Sequence, residues 1–175
     1  MSAVDRLYEE AVSIIAKLDE ISLQVSARDH FRKSLLLAAA SYFEGYISNE
    51  ILKYVSESSG GSTIVHSFVR NKAIKRQYHT WFNWELNNAN QFFGLLGDDF
   101  KAYMQSEINA SEDLKNSIAA FMEIGRERNK LVHQDYASFQ MEKTLEEIYE
   151  LYKKAVLFVE MLPGALRAHP PVTNP

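Results

Sequence analysis

Three residue types that can serve phosphate chemistry lie close together in this sequence as Arg128, Asn129 and His133. Cleavage of a phosphodiester by a neighbouring hydroxyl needs a base for that hydroxyl, an acid for the departing oxygen and a cation for the phosphate. Histidine carries protons near neutral pH, and the planar donors of arginine bind phosphate and stay charged. Asparagine transfers no proton, but it can fix an imidazole or a phosphate oxygen. The three residues could therefore bind a phosphate and transfer protons at it without a metal.

The predicted helix that carries these residues departs from its own pattern. Residues 111–133 repeat with helical periodicity, and Ser111 is placed to cap their start. On a helical wheel, Arg128 and Asn129 fall inside the apolar arc and His133 lies at its edge. Polar groups there cost free energy unless they find partners, and such exceptions are typical of functional sites. The alternative is that Arg128 pairs with a core carboxylate and only orients the helices.

The spacing of the three residues favours a site that is shared between two chains. A chain of this composition contains about 0.01 Arg-Asn-x-x-x-His sequences by chance. Asn129 and His133 are four residues apart and share a helix face, whereas Arg128 lies about 140° round from His133. One copy of the motif therefore makes a loose site. A two-fold dimer would place both histidines and both arginines around one groove.

The composition indicates one helical domain. The chain has 175 residues, is 46% hydrophobic and contains no cysteine, which excludes disulfides, thiolate metal sites and a cysteine nucleophile. All four prolines lie within the last 13 residues, and proline breaks helix interiors. No apolar run approaches the ~20 residues of a membrane span, and the N-terminus lacks the pattern of a signal peptide. We therefore expect an all-α, cytoplasmic protein.

Apolar periodicity predicts a bundle of about four long helices with a short helical insertion. The long helices are predicted over residues 3–21, about 26–55, 111–133 and 144–162, and shorter ones over 63–76, 87–96 and 98–108. Thr144 and Glu147 form a capping-box pattern, and Pro163 with Gly164 should end the last helix. We expect residues 1–162 to form the helical domain and 163–175 a flexible, proline-containing tail.

Residues 128–133, Arg-Asn-Lys-Leu-Val-His, resemble the Arg-x4-to-6-His motif of the HEPN superfamily, which lies near the end of the penultimate long helix. Residues 39–46 are similar to the acidic helix segment of its RiboL-PSP-like branch, and residues 92–100 to the insertion of that branch. The resemblance spans most of residues 27–162. It implies an all-α HEPN-like bundle and a metal-independent endoribonuclease that acts as a homodimer, with a composite site and 2′,3′-cyclic phosphate products.

The same resemblance suggests further parts of the site and its partners. Glu44 matches the acidic position of the branch and is our candidate for holding Arg128; the alternative is a surface glutamate. No metal or other cofactor is expected. Many members are toxins or antiviral-defence RNases, which implies RNA as substrate and an antitoxin or defence-system protein as partner. Asp135 stands where HEPN proteins paired with nucleotidyltransferases typically have tyrosine, which puts that mode of regulation in doubt.

A basic segment precedes the motif and is a second candidate for RNA binding. No acidic residue occurs between Ser58 and Trp84, whereas four basic residues do: Arg70, Lys72, Lys75 and Arg76. Tyr78, Trp81, Phe82 and Trp84 follow, and single-stranded RNA is often held by phosphate contacts and stacking on aromatic rings. The alternative is a solvated helix face followed by core aromatics. His66 and His79 lack companion ligands, so no metal site is expected there.

Three functions remain open from the sequence. The first is a metal-independent endoribonuclease of a toxin–antitoxin or defence system, acting on RNA as a homodimer. The second is a catalytically inactive HEPN module for dimerisation or partner docking. The third is an unrelated helical bundle with an internal Arg–Asn network. Comparison of RNA cleavage in EDTA by wild type and by His133→Ala separates the first two.

Overall fold

Seven α-helices follow one another along residues 1–168, the part of the chain that the computed structural model describes. They are α1 (Ala3–Ala16), α2 (Ile21–Ser58), α3 (Thr63–Val69), α4 (Asn90–Leu95), α5 (Asp98–Ala110), α6 (Glu112–His133) and α7 (Leu145–Ala168). A π-helical turn (Arg70–Ile74) and a 3-10 turn (Tyr78–Thr80) lie between α3 and α4. This part of the chain contains no strand, so the predicted all-α class is confirmed.

The core forms where α2, α6 and α7 pack together, with α1 against α2. One buried aromatic ring from each of the three core helices meets at the centre: Phe43, Phe121 and Phe158. The Phe121 ring centroid lies 5.5 Å from that of Phe43 and 5.1 Å from that of Phe158. The shorter helices α3 to α5 form the insertion, which confirms the predicted architecture. Within residues 1–168, no helix combines the length and the apolar character that a membrane crossing requires.

The starts of α6 and α7 are capped as the sequence predicts. The hydroxyl of Ser111 accepts a hydrogen bond from the backbone N–H of Leu114 at 3.2 Å. At α7, the backbone N–H of Thr144 donates to the Glu147 carboxylate at 2.7 Å, and the N–H of Glu147 donates to the Thr144 hydroxyl at 3.1 Å. These caps satisfy N–H groups that have no partner within a helix, and they fix where both helices begin.

The predicted end of the last helix at Pro163 and Gly164 is wrong, because α7 continues through Pro163 to the end of the described chain. Leu166 is buried beyond the proline, and the guanidinium of Arg167 donates to the Glu57 carboxylate on α2 at 3.0 Å. Burial of the apolar residues beyond the proline opposes the roughly 3 kcal/mol that proline costs inside a helix, and the exposed ion pair adds little. The start of the predicted flexible tail is therefore helical, and residues 169–175 lie outside the described residues.

The break between the first two helices falls earlier than predicted. α1 ends at Ala16 rather than near residue 21, and α2 begins at Ile21 rather than near residue 26. The side chains of Ile21 and Val25 are exposed. The first turns of α2 therefore bury no apolar face, and apolar periodicity gives no signal for them.

A buried lysine on α2 holds the loop that follows α6. Lys33 is 2% exposed, and its Nζ lies 2.8 Å from a carboxylate oxygen of Asp29. The same ammonium donates to the backbone carbonyl of Tyr136 at 3.1 Å. Burial acts to raise the pKa of Asp29, but hydrogen bonds from Lys33 and Arg32 outweigh it and keep this pKa below its usual value. The chain just after His133 is thereby fixed to α2.

Candidate functional site

A cavity of about 270 Å³ opens between α2, α6 and the segment of residues 76–84 that precedes α4. Six polar or charged side chains that could act on a ligand line it: Glu44, Arg76, His79, Arg128, Asn129 and His133. The apolar part of its wall includes Phe43, Tyr78, Trp84, Phe121, Ile124 and Val132. The four residues predicted as catalytic therefore line one cavity, although one of them comes from α2 and three from α6.

Helix α6 presents its motif at its C-terminal end. Arg128 and Asn129 are half-buried, and His133, the last residue of the helix, is exposed. The Nη1 of Arg128 donates to the Oδ1 of Asn129 at 3.1 Å. The guanidinium thus has a neighbouring amide as its partner rather than a core carboxylate. Arg128 and Asn129, the polar exceptions on the apolar side of α6, therefore line the cavity and are not part of the core.

Glu44 brings a negative charge to the same cavity from α2. It follows the buried Phe43, and it is itself exposed. The guanidinium of Arg128 donates to Asn129 rather than to Glu44. The predicted role of Glu44 in holding Arg128 therefore has to act through charge across the cavity and not through a hydrogen bond.

Tyr78 forms a buried wall between these charges. Burial is the main reason why the pKa of its phenol lies well above the usual value, and the Glu44 carboxylate raises this pKa further. Arg128 acts on the same pKa in the opposite direction. A phenol is neutral at physiological pH even at its usual pKa, and the raised pKa of Tyr78 disfavours its ionised form further. Tyr78 contributes shape and a hydroxyl dipole to the cavity, and no charge.

A close approach of Trp84 requires glycine at position 125. A Cβ atom at Gly125 would lie 2.0 Å from Cζ3 of Trp84, far inside van der Waals contact. The Trp84 indole also packs on Phe121 of α6, with 5.9 Å between ring centroids. Its Nε1 donates to the backbone carbonyl of His79 at 3.1 Å. The indole thus lies directly on α6 and ties the 76–84 segment to the motif helix.

The single helix predicted over residues 63–76 is wrong beyond Val69, where α3 ends and a π-helical turn begins. The indole Nε1 of Trp81 donates to the carbonyl of Ala73 in that turn at 3.1 Å. Arg76 then takes a left-handed backbone conformation with φ of 62°, which costs about 1 kcal/mol or more for a residue other than glycine. This reversal turns the chain back towards α6, and it places Arg76 in the cavity wall.

His79 is the site residue that the sequence patterns did not reveal. Its place in the sequence, thirteen residues after His66 and without companion ligands, argues only against a metal site, yet its side chain is exposed and lines the cavity. It lies in a 3-10 turn, where no periodicity could indicate which way its side chain faces. The available hint was Gly125 within the apolar arc of α6, since a helix glycine can mark the close approach of another segment. Within residues 1–168, no three His, Asp or Glu side chains form a group that could hold a metal ion.

The four basic residues predicted to bind RNA are all exposed, but they face different parts of the surface. Arg76 lines the cavity. Arg70 and Lys75 line a separate depression between the π-helical turn and α2, and Lys72 lies beside another depression near α4. The structure therefore brings Arg76 to the candidate site and leaves the other three as a neighbouring positive surface.

The aromatic residues that follow the basic segment belong mainly to the core. Tyr78, Trp81 and Phe82 are buried, as the alternative interpretation of the sequence had them. Trp84 is half-buried and lines the cavity. Stacking of RNA bases on a row of these rings is therefore wrong as a prediction for Trp81 and Phe82, while the buried Tyr78 still forms part of the cavity wall.

The fold and the site together define an all-α bundle with an Arg-x4-His motif at the end of its penultimate long helix. The sequence model of the RiboL-PSP-HEPN family matches residues 3–168, and the chain belongs to that family. This membership indicates an RNase-like or nucleotide-binding domain. Comparison with curated proteins and with solved structures gives no match.

Substitution of Gly125 tests the anchor of the 76–84 segment. Gly125→Ala should force the Trp84 indole away from α6, lower the free energy of unfolding by about 1–3 kcal/mol and change the near-ultraviolet circular dichroism. The matched control is Gly45→Ala on α2, where a Cβ atom meets nothing within 4 Å. That change should leave the spectrum intact and stabilise the helix by up to about 1 kcal/mol. Equal stability and equal spectra for the two variants would contradict the anchor.

Proposed function

We propose that this chain is a metal-independent endoribonuclease that acts as a homodimer, with Arg128, Asn129, His133 and Glu44 at its catalytic site. The observation that carries the proposal is the meeting of these side chains in one solvent-accessible cavity. Membership of the RiboL-PSP-HEPN family supports an RNase-like activity. By the same membership, the proposal extends to a toxin or defence RNase that an antitoxin or defence-system protein controls.

In the proposed reaction, the ribose 2′-hydroxyl loses its proton to a base, and its oxygen attacks the neighbouring phosphorus. The bond from phosphorus to the 5′-oxygen breaks, and that oxygen takes a proton from an acid. The products are a 2′,3′-cyclic phosphate and a 5′-hydroxyl, so no water, metal or redox partner is consumed. His133 is exposed at the end of α6 and supplies one of the two proton-transfer groups.

The other residues of the motif act on the charge of the phosphate. Arg128 can donate to the non-bridging oxygens, where negative charge develops in the transition state. Its hydrogen bond to Asn129 limits the rotation of the guanidinium and keeps it aimed into the cavity. Glu44 lies across the cavity and attracts the guanidinium towards the substrate side, which makes it a positioning residue.

The homodimer would align two copies of the motif along one RNA groove. The surface at the C-terminal end of α6 supports this pairing, because Val132 is 45% exposed and Tyr136 is 40% exposed on either side of His133. Sedimentation equilibrium at micromolar concentration should therefore give twice the chain mass of 20.1 kDa, and Val132→Glu should shift the chain towards monomer. A wild-type monomer that cleaves RNA would remove the homodimer from the proposal.

Cleavage of RNA in EDTA tests the activity directly. Wild type should cut single-stranded RNA and leave 2′,3′-cyclic ends, and His133→Ala or Arg128→Ala should lower the rate by about 100-fold or more. Two matched controls come from the same chain. His66→Ala removes an imidazole from α3, and Lys130→Ala removes an exposed cation from α6 that pairs with Glu127. Neither control residue lines the cavity, so both variants should keep the wild-type rate.

Two results would overturn the nuclease. Wild type that leaves RNA intact would favour the docking module, and so would cleavage that His133→Ala leaves unchanged, since a contaminating nuclease would then explain the products. Folding of each variant is checked by far-ultraviolet circular dichroism, because the substituted side chains are exposed or half-buried and the helices should persist.

The basic surface outside the cavity is tested by charge reversal. Arg70→Glu with Lys75→Glu should weaken RNA binding and lower the slope of log affinity against log salt by about 0.7 for each phosphate that the variant no longer neutralises. Lys17→Glu with Lys154→Glu changes the net charge equally at exposed positions on the N-terminal and C-terminal parts of the bundle. If both double variants weaken binding to the same extent, the basic surface has no specific role and net charge accounts for the effect.

A further inference from the structure

We infer that His79 is a second proton-transfer residue of the same site, so that one chain supplies both imidazoles of an acid–base pair. This inference rests on the proposed endoribonuclease function. The motif contributes one imidazole per chain, and in a composite dimer site the second imidazole would come from the motif of the other chain. The structure places a second imidazole in the same cavity, on the 3-10 turn that faces α6.

Two consecutive carbonyls of the turn that carries His79 accept side-chain hydrogen bonds. The carbonyl of His79 accepts from Trp84 Nε1 at 3.1 Å, and the carbonyl of Thr80 accepts from Gln91 Nε2 at 2.7 Å. Trp84 is in turn fixed on Gly125 of α6. An exposed histidine in an irregular segment would ordinarily adopt many positions. These contacts restrict the backbone that carries the imidazole, and a proton-transfer group requires such positioning.

The imidazole of His79 is available to a ligand. It is exposed, so that a polynucleotide can reach it. Its backbone carbonyl, and not its ring, accepts the hydrogen bond from Trp84, so this contact occupies no ring nitrogen. His66 on α3 and His30 on α2 do not line the cavity. Among residues 1–168, His79 and His133 are the histidines that line it.

Arg76 adds a second cation to the same wall. Its left-handed backbone turns it into the cavity three residues before His79. Arg128 lies on the opposite element, α6, so a phosphate between them would meet a guanidinium from each side. Two guanidiniums and two imidazoles from one chain would then supply a base, an acid and charge stabilisation on both sides of the phosphate. One copy of the motif by itself supplies only one imidazole and one guanidinium.

Both proton transfers of the proposed cleavage then take place within one chain. One imidazole, neutral at the start, accepts the proton of the 2′-hydroxyl as its oxygen attacks phosphorus. The other, protonated at the start, gives its proton to the 5′-oxygen as the bond from phosphorus to that oxygen breaks. The two imidazoles have then exchanged protonation states, and exchange with water restores them.

A substrate with an activated leaving group tests this pair. Uridine 3′-(p-nitrophenyl) phosphate releases p-nitrophenolate, which needs no proton, so only the base is required. Wild type, His79→Ala, His133→Ala and the control His66→Ala are compared on RNA and on this ester. On RNA, both cavity variants should cleave about 100-fold or more slowly than wild type. On the ester, the variant that lacks the acid should regain a rate within about tenfold of wild type, while the variant that lacks the base stays slow.

Several outcomes would overturn the inference and leave the proposed function standing. If His79→Ala cleaves RNA as fast as wild type while His133→Ala does not, the second imidazole comes from a second chain. If His79→Ala and His133→Ala respond alike to the activated leaving group, then His79 and His133 are not one acid and one base. Failure of wild type to cleave RNA would instead contradict the proposed function itself. His79→Asn, with nearly the same size, serves as the second variant and should behave as His79→Ala does.

Discussion

The approach of Trp84 to Gly125 is the contact on which the arrangement of the site depends. A helix normally keeps other segments at the distance of its side chains, and glycine removes that barrier at one position of α6. The indole fills the gap, packs on Phe121 and holds the carbonyl of His79. The irregular segment of residues 76–84 is thereby held against α6 at Gly125, which lies three residues before Arg128.

Charge in the cavity is opposite to that of the chain as a whole. The net charge of the protein is −4, whereas the described residues of the cavity wall include two arginines and two histidines against one carboxylate, Glu44. A local positive site of this kind attracts phosphate while the rest of the surface repels indiscriminate binding of nucleic acid. Asn129 and Tyr78 shape the site without adding charge, since the first holds a guanidinium and the second stays a neutral phenol.

Sequence patterns revealed the regular parts of this molecule and missed the irregular ones. Periodicity predicted the long helices and the caps at Ser111 and Thr144, and exceptions to periodicity singled out Arg128 and Asn129. The predicted end of α7 was wrong because tertiary contacts overrode a proline. His79 was missed because its place depends on a hydrogen bond from an indole five residues away in an irregular segment. Hydrogen bonds of that kind, between residues of one irregular segment, leave no periodic trace in the sequence.

The central claim is that one cavity binds an RNA strand against two histidines. Its most direct test is a nuclear magnetic resonance titration of the five histidine rings with a 2′-O-methyl oligonucleotide, which binds as RNA does but lacks the attacking hydroxyl. The signals of His79 and His133 should shift together and saturate at one concentration, while that of His66 on α3 stays in place. Shifts confined to histidines outside the cavity, or none at saturating oligonucleotide, would contradict the account.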